Sequence, residues 1–375
     1  MRSSVRSRFF QKYLLPGCIF QSLIIAGGYG TGRELVEFFL SLGPLTGLLA
    51  MGLATLIWSA VAASSFELAR LTRSYDYRTF FIRLFAPFHR LWFVFEVLYI
   101  LQAFLVLAVV AAAAGAILLE TFGVPPLVGV VGMMAAIGFL TLRGTPAIER
   151  FLASWSFVLY AVYGAFFILC WTHFGDEIAT GLSGSVVEVS LVFKNGVGYA
   201  GYNLAMIPAI LFCMRHSETR TEALGAGVLT GPIAMLPGLL FYIAMVGQYP
   251  EIVGEEVPAN VLLELIGSRG FQVTFQVVLF GTLVETGAGL VHAVNERLAA
   301  TYAEHDREMP DRLRPVIAIG MLSIGAVSAQ VGLMDLIARG YGTITWGFVV
   351  IFVIPVLTLG VWRILKSARA LPFGP

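Results

Sequence analysis

The feature that most constrains this chain is a recurrence of long apolar stretches, each cut off by charged residues or by clusters of proline and glycine. The hydrocarbon core of a bilayer is about 30 Å thick and needs roughly 20 apolar residues per helix. Cutting the sequence on that rule leaves ten segments, at about 13–41, 44–69, 91–118, 125–142, 150–172, 189–213, 222–247, 270–297, 313–331 and 340–365. With 58% of the 375 residues hydrophobic and 13% charged, the polar residues are too few to surround a water-soluble core. The expected fold class is all-α, a polytopic membrane protein of about ten transmembrane helices.

Charge placement orients the segments. Arg2, Arg6, Arg8 and Lys12 precede span one, and Arg70, Arg73, Arg78, Arg83 and Arg90 lie between spans two and three. The alternation continues with Arg143 and Arg150, Arg215 and Arg220, then Arg297, Arg307, Arg312 and Arg314, and finally Arg363, Lys366 and Arg369. The positive-inside rule puts these ends and both termini in the cytoplasm, with the chain multi-pass in the cell inner membrane. The opposite loops are neutral or acidic, Arg269 and Arg339 excepted. The basic N-terminal stretch runs into a full-length apolar segment, so span one is expected to be retained rather than cleaved.

A formal net charge of +1 gives no reason to expect nucleic acid as a partner, and nothing in the pattern bears on oligomeric state. Cys18, Cys170 and Cys213 sit singly in apolar runs and read as packing residues. Two loops look structured. Between spans two and three, Phe81, Leu84, Phe85 and Phe88 share one face of an amphipathic helix, expected to lie flat at the cytoplasmic interface. Pro258 to Gly267 is apolar but too short to cross, and reads as a helix dipping over an entrance or lying on the surface.

The interruptions inside the spans carry the chemistry. Span one contains Gly27, Gly28, Tyr29, Gly30, Thr31 and Gly32, followed at once by Arg33 and Glu34. Each mid-helix glycine costs about 1 kcal/mol relative to alanine, so the cluster predicts an unwound segment whose backbone groups meet protein, water or ligand. Span six repeats the theme with Gly196, Gly198, Tyr199, Gly201 and Asn203, beside Lys194 and Asn195. Spans one and six head two five-helix halves, about 13–172 and 189–365. An odd number of spans per half makes the second half inverted, the layout that places solute and ions at paired helix breaks. Close helix packing is the alternative use of such glycines.

Span eight places Thr282, Glu285, Gly289, His292 and Glu296 on one helical face, with Thr286 adjacent. A carboxylate at mid-membrane costs roughly 2.5–3.5 kcal/mol on insertion scales and marks a functional site by default. Glu285, with the Thr282 and Thr286 hydroxyls, is the candidate for a coupling cation or proton; a structural ion pair with Arg33 or Lys194 is the alternative. Arg33 and Glu34 open the outer half of span one, where helix N–H groups attract an anion such as a substrate carboxylate. Alternatively they only brace the broken helix. Glu37, Glu96 and Gln102 are secondary candidates. His292 has no second His or Cys at metal-ligand spacing, so neither a metal nor an organic cofactor is expected.

These residues resemble the YkvI family of bacterial membrane proteins, within the amino acid-polyamine-organocation superfamily. The likeness rests on GGYGTGREL-x-x-FF at Gly27 to Phe39, ETGAGLVHAVNER at Glu285 to Arg297, and GLMDLIARGYG at Gly332 to Gly342. It departs at Tyr29 and Gly30, where the family pattern has Phe-Ala. The resemblance implies a LeuT-like five-plus-five fold and transport of amino acids or similar small organic solutes, coupled to sodium or protons. A solute sensor or scaffold that keeps the fold without transport is the second reading. Without a clustered His, Cys or Asp set or a Ser/His/Asp order, an enzyme is not expected.

Overall fold

The computed structural model describes residues 8–142, 145–182, 187–303, 307–310 and 312–370. Arg2, Arg6 and Arg143 lie outside these residues, as do the side chains of Arg150 and Arg369. The described chain is helical with no strand, as the run lengths predict. Among the described residues, eight helices are long and apolar enough to cross a membrane, and Pro126–Thr141 is a shorter apolar one. The first span is broken and so falls outside that count.

Span two is Pro44–Thr72, span three Trp92–Phe122, span four Pro126–Leu142 and span five Thr145–Leu182, kinked at Phe174. Span seven is Arg220–Val246, span eight Arg269–Ala303 and span nine Leu313–Ser328. Span ten runs from Leu333 to Ala370, with π-helical stretches at Leu336–Tyr341, Val349–Val353 and Val356–Gly360. Helix starts follow local chemistry. Pro44 stands in the first turn of span two, where its missing N–H has no partner to lose. A capping box between Thr219 and Glu222 opens span seven.

Two packing groups emerge. Spans one, two, six and seven form one, and spans three, four, eight and nine the other, with span five packed against both span seven and span eight. Span seven brings Gly227 and Gly231 onto span two so closely that an added Cβ would strike the Ala63 backbone or the Ser59 hydroxyl. In lipid, where tails are as apolar as leucine, such close backbone approach is what holds helices together. The outward faces carry Leu56, Phe139, Ile168, Val316, Val350 and Trp362, all exposed. A protein in water would have to cover that much apolar surface; a bilayer covers it here.

At one end, Lys12 pairs with Glu222 at 2.8 Å, Arg70 with Glu67 at 2.8 Å, and Arg297 with Glu96 at 3.2 Å. Arg297 also lies between the rings of Tyr77 and Tyr99, 3.8 and 3.9 Å from their centroids. These groups come from the termini and loops assigned to a single side by the charge pattern. At the opposite end, Arg269 donates to Gln272 and to the Thr121 carbonyl, and Arg339 pairs with Asp335.

Both structured loops are helical, with one correction. Tyr77–Phe85 is capped by Asp76, which accepts from the Thr79 N–H at 2.8 Å. The helix stops before Pro87, so Phe88 leaves the predicted apolar face and is 72% exposed, while Phe80 joins it. Protein covers that face: Phe81 packs on Phe95 with centroids 4.2 Å apart and on Phe352 at 5.6 Å. Its apolar surface is used against spans three and ten. The second, Pro258–Ile266, buries Ala259, Leu262 and Leu263 and packs over the Gly27–Thr31 turn of span one.

Candidate functional site

Span one leaves the helix at Ile25 and Ala26, earlier than the glycine cluster predicts. Ala26 is extended (φ −112°, ψ −165°), Gly27–Thr31 forms one helical turn, and Gly32 turns back at φ +84° before Arg33–Phe38 resumes. Only glycine takes that left-handed conformation without strain. The other glycines serve proximity. A Cβ on Gly27 would lie 3.0 Å from the Val109 carbonyl oxygen, and one on Gly28 would lie 2.8 Å from Glu34 Oε2. The Thr31 hydroxyl donates to the Gly27 carbonyl at 2.8 Å, keeping the turn closed.

Span six also breaks later than predicted. Val189–Asn203 is an uninterrupted α-helix through the glycines, and Leu204–His216 continues as a 3₁₀ helix containing Pro208. Gly196 rests on the Ala50 carbonyl of span two and Gly201 on Thr345 and Val349 of span ten, so both are contact points rather than points of unwinding. Gly198 offers its carbonyl to the Thr345 hydroxyl at 3.0 Å. A 3₁₀ run of 13 residues is unusual, because its hydrogen bonds are poorer, and such stretches mark hinges.

Where the two breaks face each other there is a small enclosed chamber of about 20 Å³, scarcely room for one water. Glu34, Gln102, Tyr202, Asn203 and Tyr341 supply its polar wall. Glu34 is 1% exposed and accepts a short hydrogen bond from the Tyr202 hydroxyl. Tyr202 stacks on Tyr341, centroids 4.5 Å apart. Gln102 donates to the Tyr202 carbonyl at 3.0 Å, and its buried Oε1 has no partner.

Leu23, Met206, Thr286 and Leu290 line both this chamber and a larger cavity of about 690 Å³ on the side of Phe10 and Leu15. They form a thin partition between the two. Glu285 lies on the larger cavity's wall, 5% exposed, and has no hydrogen bond or ion pair among the described residues. The Thr286 hydroxyl donates to the carbonyl of Ile25, at the break itself, at 3.2 Å. An unpaired carboxylate, a hydroxyl and a helix-end carbonyl from two spans are oxygen donors suited to a hard cation or a proton.

The opposite side is closed. Arg33, 3% exposed, donates from Nη1 to the carbonyls of Val253 at 2.7 Å and Glu255 at 2.9 Å, and from Nη2 to Glu37 at 2.9 Å. It holds the segment preceding Pro258–Ile266 down onto span one.

Several sequence expectations change place as a result. Arg33 does not line the chamber, and it pairs with Glu37 rather than Glu285. Lys194 is exposed, which removes the other proposed partner of Glu285. Thr282 bonds the Val278 carbonyl and receives the Trp155 N–H at 3.3 Å, facing span five and not the cavity. Tyr29 is fully buried against Gly238, and Tyr199 packs on Phe39 and Trp58 behind the chamber. Of the residues singled out at the breaks, Glu34 and Asn203 line the chamber. Tyr202, Tyr341 and Met206 do so unforeseen; Tyr202 stands between Gly201 and Asn203 and Tyr341 within GLMDLIARGYG, but nothing in their spacing separates these two from packing aromatics.

No protein-family model matches the chain, and no curated protein matches it. Solved structures do. MhsT in complex with L-phenylalanine aligns over 95% of this chain and 98% of its own, with a TM-score of 0.63 and 16% identity. A substrate-bound, outward-open Na⁺-coupled sialic acid symporter aligns over 100% of this chain and 98% of its own, with a TM-score of 0.54 and 12% identity. At those identities the likeness establishes the fold: this is a polytopic all-α membrane protein with the LeuT-like architecture.

Proposed function

We propose that the chain is an ion-coupled secondary transporter of a small, amino-acid-like organic solute, working by alternating access. In this reading it is one transport unit of two inverted repeats, about 13–172 and 189–365, and a YkvI-type protein of the inner membrane with both termini in the cytoplasm. The observation that carries the proposal is the asymmetry around the chamber. It is latched on one side by Arg33 and separated on the other from a 690 Å³ cavity by one layer of side chains. That is the arrangement of an inward-facing state with its outer path shut. The two packing groups supply the bodies that rock, and the 3₁₀ segment Leu204–His216 supplies a hinge. MhsT, solved with L-phenylalanine, and the Na⁺-coupled sialic acid symporter support an organic solute and a coupling cation.

Glu285 takes the coupling role, with the Thr286 hydroxyl and the Ile25 carbonyl beside it. A cation or proton bound there ties span eight to the break in span one, so its occupancy biases which side opens. The test is gradient-driven uptake into proteoliposomes. Glu285→Gln, at unchanged protein abundance, should abolish concentrative uptake; wild-type flux in that variant would sink the assignment.

A further inference from the structure

Among the described residues, Glu34 is the one Asp, Glu, Lys, Arg or His that lines the chamber. Among the described residues, neither the chamber nor the larger cavity is lined by Lys, Arg or His. Arg33, the one nearby cation of span one, is committed to the outer loop and Glu37. What the chamber offers is Glu34, whose carboxylate accepts from Tyr202 on Oε1 and also interacts with the Tyr199 hydroxyl. It also offers the Gln102 carbonyl oxygen, 2% exposed as a residue and with no donor. A buried carboxylate wants a cation and a buried amide oxygen wants an N–H. Among the described residues no group of three His, Cys, Asp or Glu side chains could hold a metal ion, and no second one of these lines the chamber with Glu34. Tyr202 and Tyr341, stacked beside Glu34, present ring surface to the same space, and aromatic rings attract ammonium groups.

Resting on the transporter reading above, we propose that the solute is selected by a protonated amine, held by Glu34 Oε2 and Gln102 Oε1 against the Tyr202–Tyr341 stack, and that a carboxylate on the solute is dispensable. The tightness of the chamber in the present state belongs to this account: an arriving ammonium must part Leu23, Met206 and Leu290 and supply the donor that Gln102 lacks.

Thermal unfolding of the purified full-length protein tests this with two matched sets of probes: leucine, 3-methylbutylamine and 4-methylpentanoate, then phenylalanine, phenylethylamine and 3-phenylpropionate. Binding to the folded state raises its melting temperature. The amine should stabilise at least as well as the amino acid in one set or both, and the amine-free acids should not stabilise. Glu34→Gln should weaken apparent amine affinity by about tenfold or more, as expected for a lost hydrogen bond to a charged group, while Glu34→Asp keeps the order of the probes. If Glu34→Gln fails to fold, Gln102→Leu must weaken amine binding without touching the carboxylate. The proposal is overturned if no amine shifts the wild type, if an amine-free acid stabilises it, or if amines bind Glu34→Gln unchanged. Proteoliposome flux separates the two levels. Transport of an amine-free acid would overturn the substrate class and leave the transporter reading intact. Amine binding that is lost in Glu34→Gln, with no flux of any probe, would keep the amine site and overturn the transporter reading.

Discussion

Replacing Arg33 with Gln should release the outer side of the chamber by an amount the contacts allow to be worked out. Its guanidinium makes two charge-assisted hydrogen bonds to carbonyls, at 2.7 and 2.9 Å, and one ion pair to Glu37. A net hydrogen bond to a charged group contributes about 1.5–3 kcal/mol. The Glu37 side chain is 32% exposed, and i,i+4 pairs of this kind contribute only about 0.3–0.5 kcal/mol; both partners also lie on span one, so this pair persists when the outer loop lifts. Water replaces part of the carbonyl bonds on opening, which leaves about 2–4 kcal/mol favouring the closed side. At 1.4 kcal/mol per decade, the outward-open population should rise roughly 30- to 700-fold in Arg33→Gln. A cysteine at Val106, which lines the chamber and is buried, reports that population through its reaction with a membrane-impermeant thiol reagent added from the Val253–Glu255 side. A Cys18→Ser background removes the vestibular thiol, and Cys170 and Cys213 are buried. While the open state is minor, the labelling rate scales with its population. An increase of tenfold or more is expected; a rate unchanged within about twofold would refute the idea that these bonds hold the outer side shut.

Two further changes probe the scaffold. Gly227→Val places methyl groups against the Ala63 backbone and should destabilise by about 1–3 kcal/mol, read as a lower melting temperature in detergent; an unchanged value would mean that spans two and seven are not locked together there. Asp76→Ala removes the acceptor for the Thr79 N–H and should cost about 0.5–2 kcal/mol. Faster amide exchange confined to the first turn of Tyr77–Phe85 is the expected signature, and unaltered exchange would count against the cap.

Much of this protein is written locally. Run length and apolar continuity place the spans, because a bilayer leaves the backbone no option but to satisfy its own hydrogen bonds. Proline ends the Tyr77–Phe85 helix, and a capping box starts span seven, for reasons contained within a few residues. The interruption in span one and the isolated Glu285 were legible in the same way, since a glycine cluster and a mid-membrane carboxylate are costly wherever they occur, whereas span six stays α-helical through its glycines. What a glycine is for was not legible. Gly196 and Gly201 looked like points of unwinding and are points of contact, because the distinction depends on whether another helix lies within reach of a Cβ. The direction of Arg33 was decided by two carbonyls some 220 residues away in sequence, and the partnerless state of Glu285 and of Gln102 Oε1 by what the assembled spans failed to bring near them among the described residues. Local composition sets which groups are buried in the membrane; only the packed bundle decides which of them are already satisfied, and therefore which are left to meet a solute or an ion.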